Sequence, residues 1–141
     1  VGITPILAIG EDSSNAHDVV PRVLADQLTH ALAGIPKRSL GKIVVAYEPV
    51  WAIGTGKADT PDNATRRAIY IRKLLAKMAG LKIANSIRIL YGGSVNPKNA
   101  SPFLASDIRG MDGLLVGGAS LDPVAFAAIV KAVGVKSRSS M

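Results

Sequence analysis

A glutamate at the end of an apolar run, followed by a glycine-containing segment, is the first feature of this sequence that could do chemistry. Glu48 follows the apolar residues 43–47, and the next residues read PVWAIGTGK. Apolar surroundings make a carboxylate a stronger base near neutral pH. Glycine adopts backbone angles that other residues resist, which suits a segment that moves over such a carboxylate. We therefore interpret Glu48 as a candidate general base, although the pattern taken alone is equally compatible with a structural carboxylate.

Two glycine pairs form a second candidate for chemistry. Gly92-Gly93 precedes Ser94, and Gly117-Gly118 follows another apolar run. Backbone amides at glycines can approach an anion closely, and the N-terminus of a helix adds its dipole. Either pair alone is compatible with a tight turn. The two pairs together, with Ser94 between them, favour a site for a phosphate group.

The apolar runs that carry these residues predict a parallel α/β sheet. Four runs cover residues 3–9, 43–47, 87–91 and 113–116, and each is followed by a helical pattern. Near-continuous apolar strands are typical of parallel sheets that are covered on both faces. Polar and glycine residues, Glu11 and Glu48 among them, come at the carboxyl ends of the strands, as in a (β/α)8 barrel. Four βα units are half of such a barrel.

Capping residues and glycines predict the helix boundaries. The first helical pattern ends at Gly34, and the second begins at Thr60-Pro61-Asp62 and ends at Gly80. The buried stripe of the second helix consists of Ile71, Leu74, Leu75 and Met78. Asn96-Pro97 opens a short helix through residue 104, and Asp122-Pro123 opens the last one, through residue 132. We expect one half-barrel domain over residues 1–133 and a loose tail over residues 134–141.

The composition of the 141 residues fits a globular domain and excludes several kinds of site. Hydrophobic residues make up 48% of the sequence, and the lack of cysteine excludes a disulfide framework, a thiol nucleophile and a cysteine-bound metal. A membrane span needs roughly 18 or more apolar residues. We expect neither such a span nor a signal peptide, and we place the protein in the cytoplasm.

The net charge of +7 leaves a second class of function open. A basic balance is compatible with nucleic-acid binding. Arg66, Lys73 and Lys77, however, fall at helical spacing opposite the apolar positions, and no aromatic residues lie between the basic ones to stack bases. This pattern favours a solvated helix face, and an acidic partner surface is a third alternative.

Four segments of the sequence resemble the triosephosphate isomerase family. AYEPVWAIGTGK (46–57), YGGSV (91–95) and LLVGGASL (114–121) look like its last three strand-end motifs, and ITPILAIGE (3–11) resembles its fifth strand. The resemblance runs to about residue 133. It implies an isomerase of glycolysis and gluconeogenesis, without metal or cofactor, that interconverts dihydroxyacetone phosphate and glyceraldehyde 3-phosphate through an enediolate.

The resemblance also implies a role for each site residue. Glu48 matches the family's base, and the amides of Gly54, Ser94, Gly117 and Gly118 match its donors to the substrate phosphate. The lid spans residues 49–60, and its supporting residues are Pro49, Trp51, Ile53, Lys57, Tyr91 and Leu115. Among these, Ile53 and Leu115 close over the glutamate, and Tyr91 hydrogen-bonds the closed lid. Trp51 is also compatible with a core position.

Two residues depart from the family's pattern or carry over less directly. Asp59 stands in the second lid hinge, where a small residue is common, and its effect on the lid is left open. Glu11 is not followed by the glutamate- and arginine-rich stretch usual in the family, and a structural role suits it better than a catalytic one.

Half of the family's catalytic machinery has no counterpart in this sequence. The family's electrophilic histidine and catalytic lysine lie on earlier strands, whereas His17 and His30 lie on a helical pattern. We therefore expect a complementary N-terminal half with that lysine and histidine, and a dimer of complete barrels. That half is a separate polypeptide, a cleaved piece or an upstream part of one chain. A phosphate-ligand-binding half-barrel without turnover, or a nucleic-acid-binding module, are the alternatives.

Overall fold

The structure, a computed structural model, describes residues 2–12, 22–105 and 110–137. Within them, four parallel strands form one sheet in the order β1 to β4: Ile6–Ile9, Val44–Tyr47, Arg88–Gly92 and Gly113–Leu115. The same residues contain the helices α1 Arg22–Leu32, α2 Lys37–Leu40, α3 Pro61–Ala79, α4 Leu81–Ser86 and α5 Pro123–Ser137. They also contain short 3-10 helices at Val50–Ala52, Ser101–Leu104 and Gly118–Leu121. The predicted parallel α/β architecture is confirmed.

The strands are aligned so that their carboxyl ends meet at one edge of the sheet. Ile9 pairs with Tyr47, Tyr47 with Tyr91, and Tyr91 with Leu114. Each strand pairs with the next one in the sequence, and helical residues lie in every connection. This is the arrangement of consecutive βα units in a barrel. The residues that follow the four strands therefore converge at this edge, which we call the carboxyl edge.

Helix α3 supplies much of the hydrophobic core on its side of the sheet. It begins at Thr60, whose Oγ1 accepts a hydrogen bond from the Asn63 amide at 3.2 Å, and it ends at Gly80, with φ +91°. Both boundaries agree with the capping residues in the sequence. The fully buried stripe of α3 contains Ala64, Ala68, Ile71 and Leu75, while Leu74 and Met78 are partly buried.

The two outer strands each leave one edge unpaired among the described residues. β1 pairs only with β2, and β4 only with β3. Apolar side chains are exposed on an outer strand and on the last helix: Ile6 of β1 is 51% exposed, and Phe126 and Val130 of α5 are exposed as well. In contrast, β2 is buried over its whole length. Unpaired edges and exposed apolar surface are what half of a closed barrel would present.

The structure differs from the predicted helices at three places. Residues 97–100 form turns, and only Ser101–Leu104 is helical, in 3-10 form. Pro102 has no N–H group, which disfavours an α-helix there. Helix α5 continues to Ser137, so residues 134–137, which we expected in the loose tail, are helical; glycine costs a helix only about 1 kcal/mol. Residues 138–141 lie outside the described part. The helices α2 and α4 were not predicted, because they are too short to show a hydrophobic period.

Candidate active site

Glu48 is the first residue after β2 and is half-buried at the carboxyl edge. Its amide donates a hydrogen bond to the carbonyl of Ile9 at 2.8 Å, which continues the pairing of β1 with β2. Its side chain lies over Gly92, the last residue of β3, because a Cβ atom on Gly92 would come within 2.6 Å of Glu48 Oε1. The position of this carboxylate is therefore defined by both neighbouring strands.

The Glu48 side chain borders a cavity of about 420 Å³ at the carboxyl edge. The walls come from the residues that follow β2 and β3, and from the end of β4 with the residues that follow it. Seven of the predicted site residues line it: Glu48, Ile53, Gly54, Ser94, Leu115, Gly117 and Gly118. A carboxylate, two apolar side chains and two glycine turns thus meet in one space, which suits a small ligand with an anionic group.

The segment between Glu48 and α3 forms one wall of this cavity. It begins with the 3-10 helix Val50–Ala52 and continues through turns in which Gly54 has φ +69° and Gly56 has φ +76°. These angles lie in the left-handed region, where side chains other than glycine are strained. The two glycines are therefore required by the conformation of this segment, which corresponds to the predicted lid.

The hydroxyl of Ser94 connects the lid to the loop after β3. Ser94 Oγ accepts a hydrogen bond from the Gly56 amide at 3.0 Å and donates one to the Ala52 carbonyl at 2.7 Å. Ser94 also has φ +48°, the one positive φ of a non-glycine residue in the described ranges. Backbone strain of this kind is typical of functional sites. The sequence analysis predicted a role only for the amide of Ser94, as a donor to the phosphate. The structure shows that its hydroxyl also bonds the lid.

The hydroxyl of Tyr91 makes a second connection, at the far end of the lid. Tyr91 Oη accepts a hydrogen bond from the Asp59 amide at 2.8 Å and donates one to the Gly93 carbonyl at 3.1 Å. Burial raises the pKa of Tyr91 to about 12, so its hydroxyl is neutral and can donate at physiological pH. The lid is thus held by Ser94 in its middle and by Tyr91 at its second hinge.

The other predicted lid residues lie away from the cavity. Pro49 is fully buried, and Lys57 is exposed on the outside of the lid. Trp51 is partly buried within the 3-10 helix, and its Nε1 atom has no hydrogen-bond partner among the described residues. These three residues are in a position to support the lid, and the cavity itself is formed by others.

Five polar side chains form a buried cluster behind the second hinge of the lid. We call Glu11, Tyr47, Asp59, Asn63 and Arg67 the hinge cluster. The Tyr47 hydroxyl lies 2.9 Å from Glu11 Oε1 and 3.3 Å from Asp59 Oδ2. Asn63 Nδ2 donates to Asp59 Oδ2 at 2.7 Å, and Arg67 Nε lies 3.4 Å from Glu11 Oε1. Glu11 is therefore part of a structural network, as expected.

The pKa values in the hinge cluster are shifted by burial. Burial, followed by the charges of Glu11 and Asp59, raises the pKa of the Tyr47 phenol, so it is a neutral donor. Burial also raises the pKa of the Asp59 carboxyl above its ordinary value, although hydrogen bonds from the Thr60 amide, Asn63 and Tyr47 lower it in part. The cluster therefore favours a protonated Asp59 more than water does.

The sequence analysis did not identify the buried residues Asn63 and Arg67. It also did not show why positions 10 and 92 must be glycine. Asn63 and Arg67 lie one turn apart on α3 and are buried beside its apolar stripe, so a helical projection of α3 could have identified them. A Cβ atom on Gly10 would overlap the Glu48 carbonyl, and one on Gly92 would meet the Glu48 side chain. The need for these glycines depends on strand pairing, for which the sequence has no local signal.

Other candidate chemistry lies elsewhere or outside the described residues. His30 is exposed on α1, where its Nδ1 is 2.7 Å from the Asp26 carbonyl, and His17 lies outside the described residues. Arg66, Lys73 and Lys77 are exposed on α3, in agreement with a solvated face. Within residues 2–12, 22–105 and 110–137, no group of three or more His, Asp or Glu side chains could hold a metal ion. None of the helices in those ranges has the length and apolar character of a membrane-spanning segment.

Comparison with known proteins identifies the family. The family model described as triosephosphate isomerase matches residues 1–133. A triosephosphate isomerase from Solibacter usitatus is 46% identical over 130 residues, which cover 92% of this chain and 51% of that protein. One from Carboxydothermus hydrogenoformans is 44% identical over 131 residues, with the same coverage, and one from Mycobacterium avium is 46% identical over 129 residues, covering 90% and 48%.

The match covers nearly the whole chain but only part of its relatives. The chain spans about half the length of the curated relatives it matches. The parallel sheet, the order of its strands and the match over residues 1–133 all agree. The chain belongs to the triosephosphate isomerase family.

Proposed function

We propose that this chain is the carboxyl-terminal half of a triosephosphate isomerase barrel and that Glu48 is its catalytic base. The observation that carries the proposal is the single cavity in which the Glu48 carboxylate, the tip of the lid and two glycine turns meet. A phosphate-binding site without turnover would need the glycine turns, but neither the carboxylate nor the lid.

The reaction is a proton transfer within a phosphorylated triose. Glu48 takes a proton from the hydroxymethyl carbon of dihydroxyacetone phosphate, and the electron pair of that C–H bond forms a C=C bond to the carbonyl carbon. The carbonyl oxygen accepts the negative charge, which gives an enediolate. Protonated Glu48 then returns the proton to the former carbonyl carbon, while the hydroxyl proton of the other oxygen is transferred to the former carbonyl oxygen, and glyceraldehyde 3-phosphate results. No atom or electron is gained or lost, so the reaction balances without a cofactor.

The glycine turns and the lid hold the substrate for this step. The amides of Gly54, Ser94, Gly117 and Gly118 are the proposed donors to the phosphate, because glycine lets the backbone approach an anion. Ile53 and Leu115 line the same cavity and exclude water from the carboxylate. Exclusion of water strengthens the interactions with charge that develops during the reaction.

A complementary amino-terminal half completes the site in this proposal. The unpaired edges of β1 and β4 and the twofold greater length of the relatives support it. That half supplies strands one to four of the barrel, and the lysine and histidine that polarise the carbonyl and stabilise the enediolate. The complete barrels act as a cytoplasmic homodimer on a phosphorylated triose, with no role for nucleic acid or membrane.

Reconstitution tests this proposal. The 141-residue chain is purified alone, assayed for triose phosphate isomerisation, and assayed again with an amino-terminal half from a relative. We expect activity only in the mixture, because the electrophiles are supplied by the added half. Activity of the chain alone, or a well-folded complete barrel without activity, contradicts the proposal. Salt-dependent retention of nucleic acid by the complete barrel would instead favour the nucleic-acid alternative.

A further inference from the structure

Asp59 is a buried carboxylate at the hinge of the lid, and the proposed reaction does not use it. It is 6% exposed and lies at the point where the lid joins α3. Its own amide makes the hydrogen bond to Tyr91 that holds this end of the lid down. The side chain and the amide of one residue therefore connect the lid to different elements of the fold.

The side chain of Asp59 makes contacts on three sides. Oδ1 accepts a hydrogen bond from the Thr60 amide at 2.7 Å. Oδ2 accepts one from Asn63 Nδ2 of α3 at 2.7 Å and lies 3.3 Å from the hydroxyl of Tyr47, at the end of β2. Tyr47 directly precedes Glu48 in the chain. These contacts restrain the hinge against both α3 and the strand that carries the proposed base.

We propose that Asp59 is a positioning residue: its side chain holds the second hinge of the lid in the closed position, so that the Asp59 amide meets the Tyr91 hydroxyl. This inference deepens the proposed function and rests on it for the identity of the ligand beneath the lid. Asp59 touches neither the cavity nor the substrate in this account, and it acts through the lid.

The protonation state of Asp59 modulates this restraint. The groups around it are Glu11 after β1, Tyr47 on β2, Tyr91 on β3 and Asn63 on α3. Arg67 of α3 contacts Glu11. The Tyr47 hydroxyl has one proton and lies closer to Glu11 Oε1 than to Asp59 Oδ2. A protonated Asp59 can donate to the Tyr47 oxygen while Tyr47 donates to Glu11, which completes a chain of hydrogen bonds.

The sign of the pH dependence follows from burial. Burial raises the pKa of the Asp59 carboxyl in the closed lid above its ordinary value, which an open, hydrated hinge would restore. A group with a higher pKa in the closed state favours closure in its protonated form. The contribution of protonated Asp59 to lid closure is complete below the pKa that its carboxyl has in the open lid. It is lost as the pH rises through the pKa of the same carboxyl in the closed lid. Closure of the lid is therefore firmer on the acidic side of that pKa.

Trp51 reports the position of the lid without a label, because it is the only tryptophan of this chain and lies in the lid. The first measurement follows its fluorescence against pH in the complete barrel without ligand, with Trp51→Phe as the background. We expect a transition above the ordinary carboxyl pKa in the wild type and none in Asp59→Asn, which cannot titrate. The exposed Asp62→Asn, three residues along, is the matched control and keeps the transition. Identical traces for the wild type and Asp59→Asn overturn the proposal.

The second measurement is the affinity for glycerol 3-phosphate, which has the phosphate but no carbonyl to isomerise. Asp59→Ala removes the acceptor of two side-chain donors and should weaken binding at neutral pH roughly fivefold or more, with kcat of the assembled enzyme reduced much less than KM is raised. Unchanged affinity and KM overturn the proposal, and if Asp59→Ala does not fold, the fluorescence comparison with Asp59→Asn decides.

The fluorescence test needs neither ligand nor catalysis. A barrel that fails to isomerise triose phosphates but shows the Asp59-dependent transition refutes the proposed function and leaves the role of Asp59 standing.

Discussion

The carboxylate of Glu48 lies directly over Gly92, so that a methyl group on Gly92 would reach within 2.6 Å of Oε1 and 2.8 Å of Cγ. Gly92, the last residue of β3, therefore lies directly beneath Glu48, the residue that follows β2. Because only hydrogen atoms fit between the two, the identity of Gly92 determines where the Glu48 side chain can lie.

Gly92→Ala tests this relation. The added methyl group meets the flexible side chain of Glu48, so we expect the carboxylate to move while the fold is kept. A displacement of about 1 Å can cost roughly 10²-fold in rate, and turnover of the complete barrel should fall by that order with little change in phosphate affinity. Gly41→Ala is the control, because its Cβ would meet no atom closer than 3.4 Å. Equal turnover of the two variants would show that Gly92 does not position the base.

Ser94→Ala tests the connection between the lid and β3. It removes the hydroxyl that accepts from the Gly56 amide and donates to the Ala52 carbonyl. Loss of these two hydrogen bonds, each worth about 0.5–1.5 kcal/mol, should weaken the affinity for a phosphorylated triose analogue roughly 5- to 150-fold, as measured by calorimetry. Ser86→Ala serves as the control, since the Ser86 hydroxyl only bonds the carbonyl of Ile83 in its own helix. Wild-type affinity in Ser94→Ala would argue that the lid closes without this contact.

Gly117→Val tests the anion site. A Cβ atom at Gly117 would have no neighbour within 4 Å, although the angles φ −86° and ψ −114° lie outside the regions that other residues favour. The side chain would enter the cavity near the proposed phosphate. We expect weaker binding of inorganic phosphate and of glycerol 3-phosphate in Gly117→Val, with a smaller effect in Gly117→Ala, whose side chain is shorter. Full affinity in Gly117→Val would place the phosphate elsewhere.

Asp112→Ala separates stability from activity. Asp112 Oδ2 accepts hydrogen bonds from the Ile89 amide at 2.8 Å and from Arg72 Nη2 at 2.7 Å, at the amino ends of β3 and β4. Its loss leaves partly buried donors without an acceptor, and we expect the free energy of unfolding to fall by about 1–3 kcal/mol in chemical denaturation. The exposed Lys73→Ala should stay within about 0.5 kcal/mol of the wild type. Residues at this end of a barrel support stability, so kcat should hold; a selective loss of kcat would contradict this division.

The sequence predicted those features that depend on local patterns. The apolar runs gave the four strands, Thr60 and Gly80 gave the ends of α3, and the strand-end motifs led to the residues that line the cavity. The contacts of the Ser94 hydroxyl could not be predicted in this way, and the hydrogen bond of Tyr91 to the lid was expected only from the resemblance to the family. They join residues 38 and 32 positions apart, Ser94 to Gly56 and Tyr91 to Asp59, and only the register of β2 against β3 brings them together.

The short helices and the helical end of the chain show the limits of the same reasoning. The helices α2 and α4 have only four and six residues. Segments of that length are too short to show a helical hydrophobic period in the sequence. The last helix was predicted to run through residue 132, with a loose tail from Gly134, yet α5 continues through Gly134 to Ser137. A glycine in a helix is a modest cost that neighbouring residues can outweigh.

Glu48→Gln in the complete barrel tests whether Glu48 is the catalytic base. Glutamine keeps the shape of the side chain but cannot accept the proton from carbon, and a positioned general base contributes roughly 10²–10⁴-fold to rate. The measurement is kcat for glyceraldehyde 3-phosphate, together with the affinity for glycerol 3-phosphate. We predict that kcat falls by at least 10²-fold while the analogue still binds. Turnover close to that of the wild type would remove Glu48 from the role of base and contradict the account.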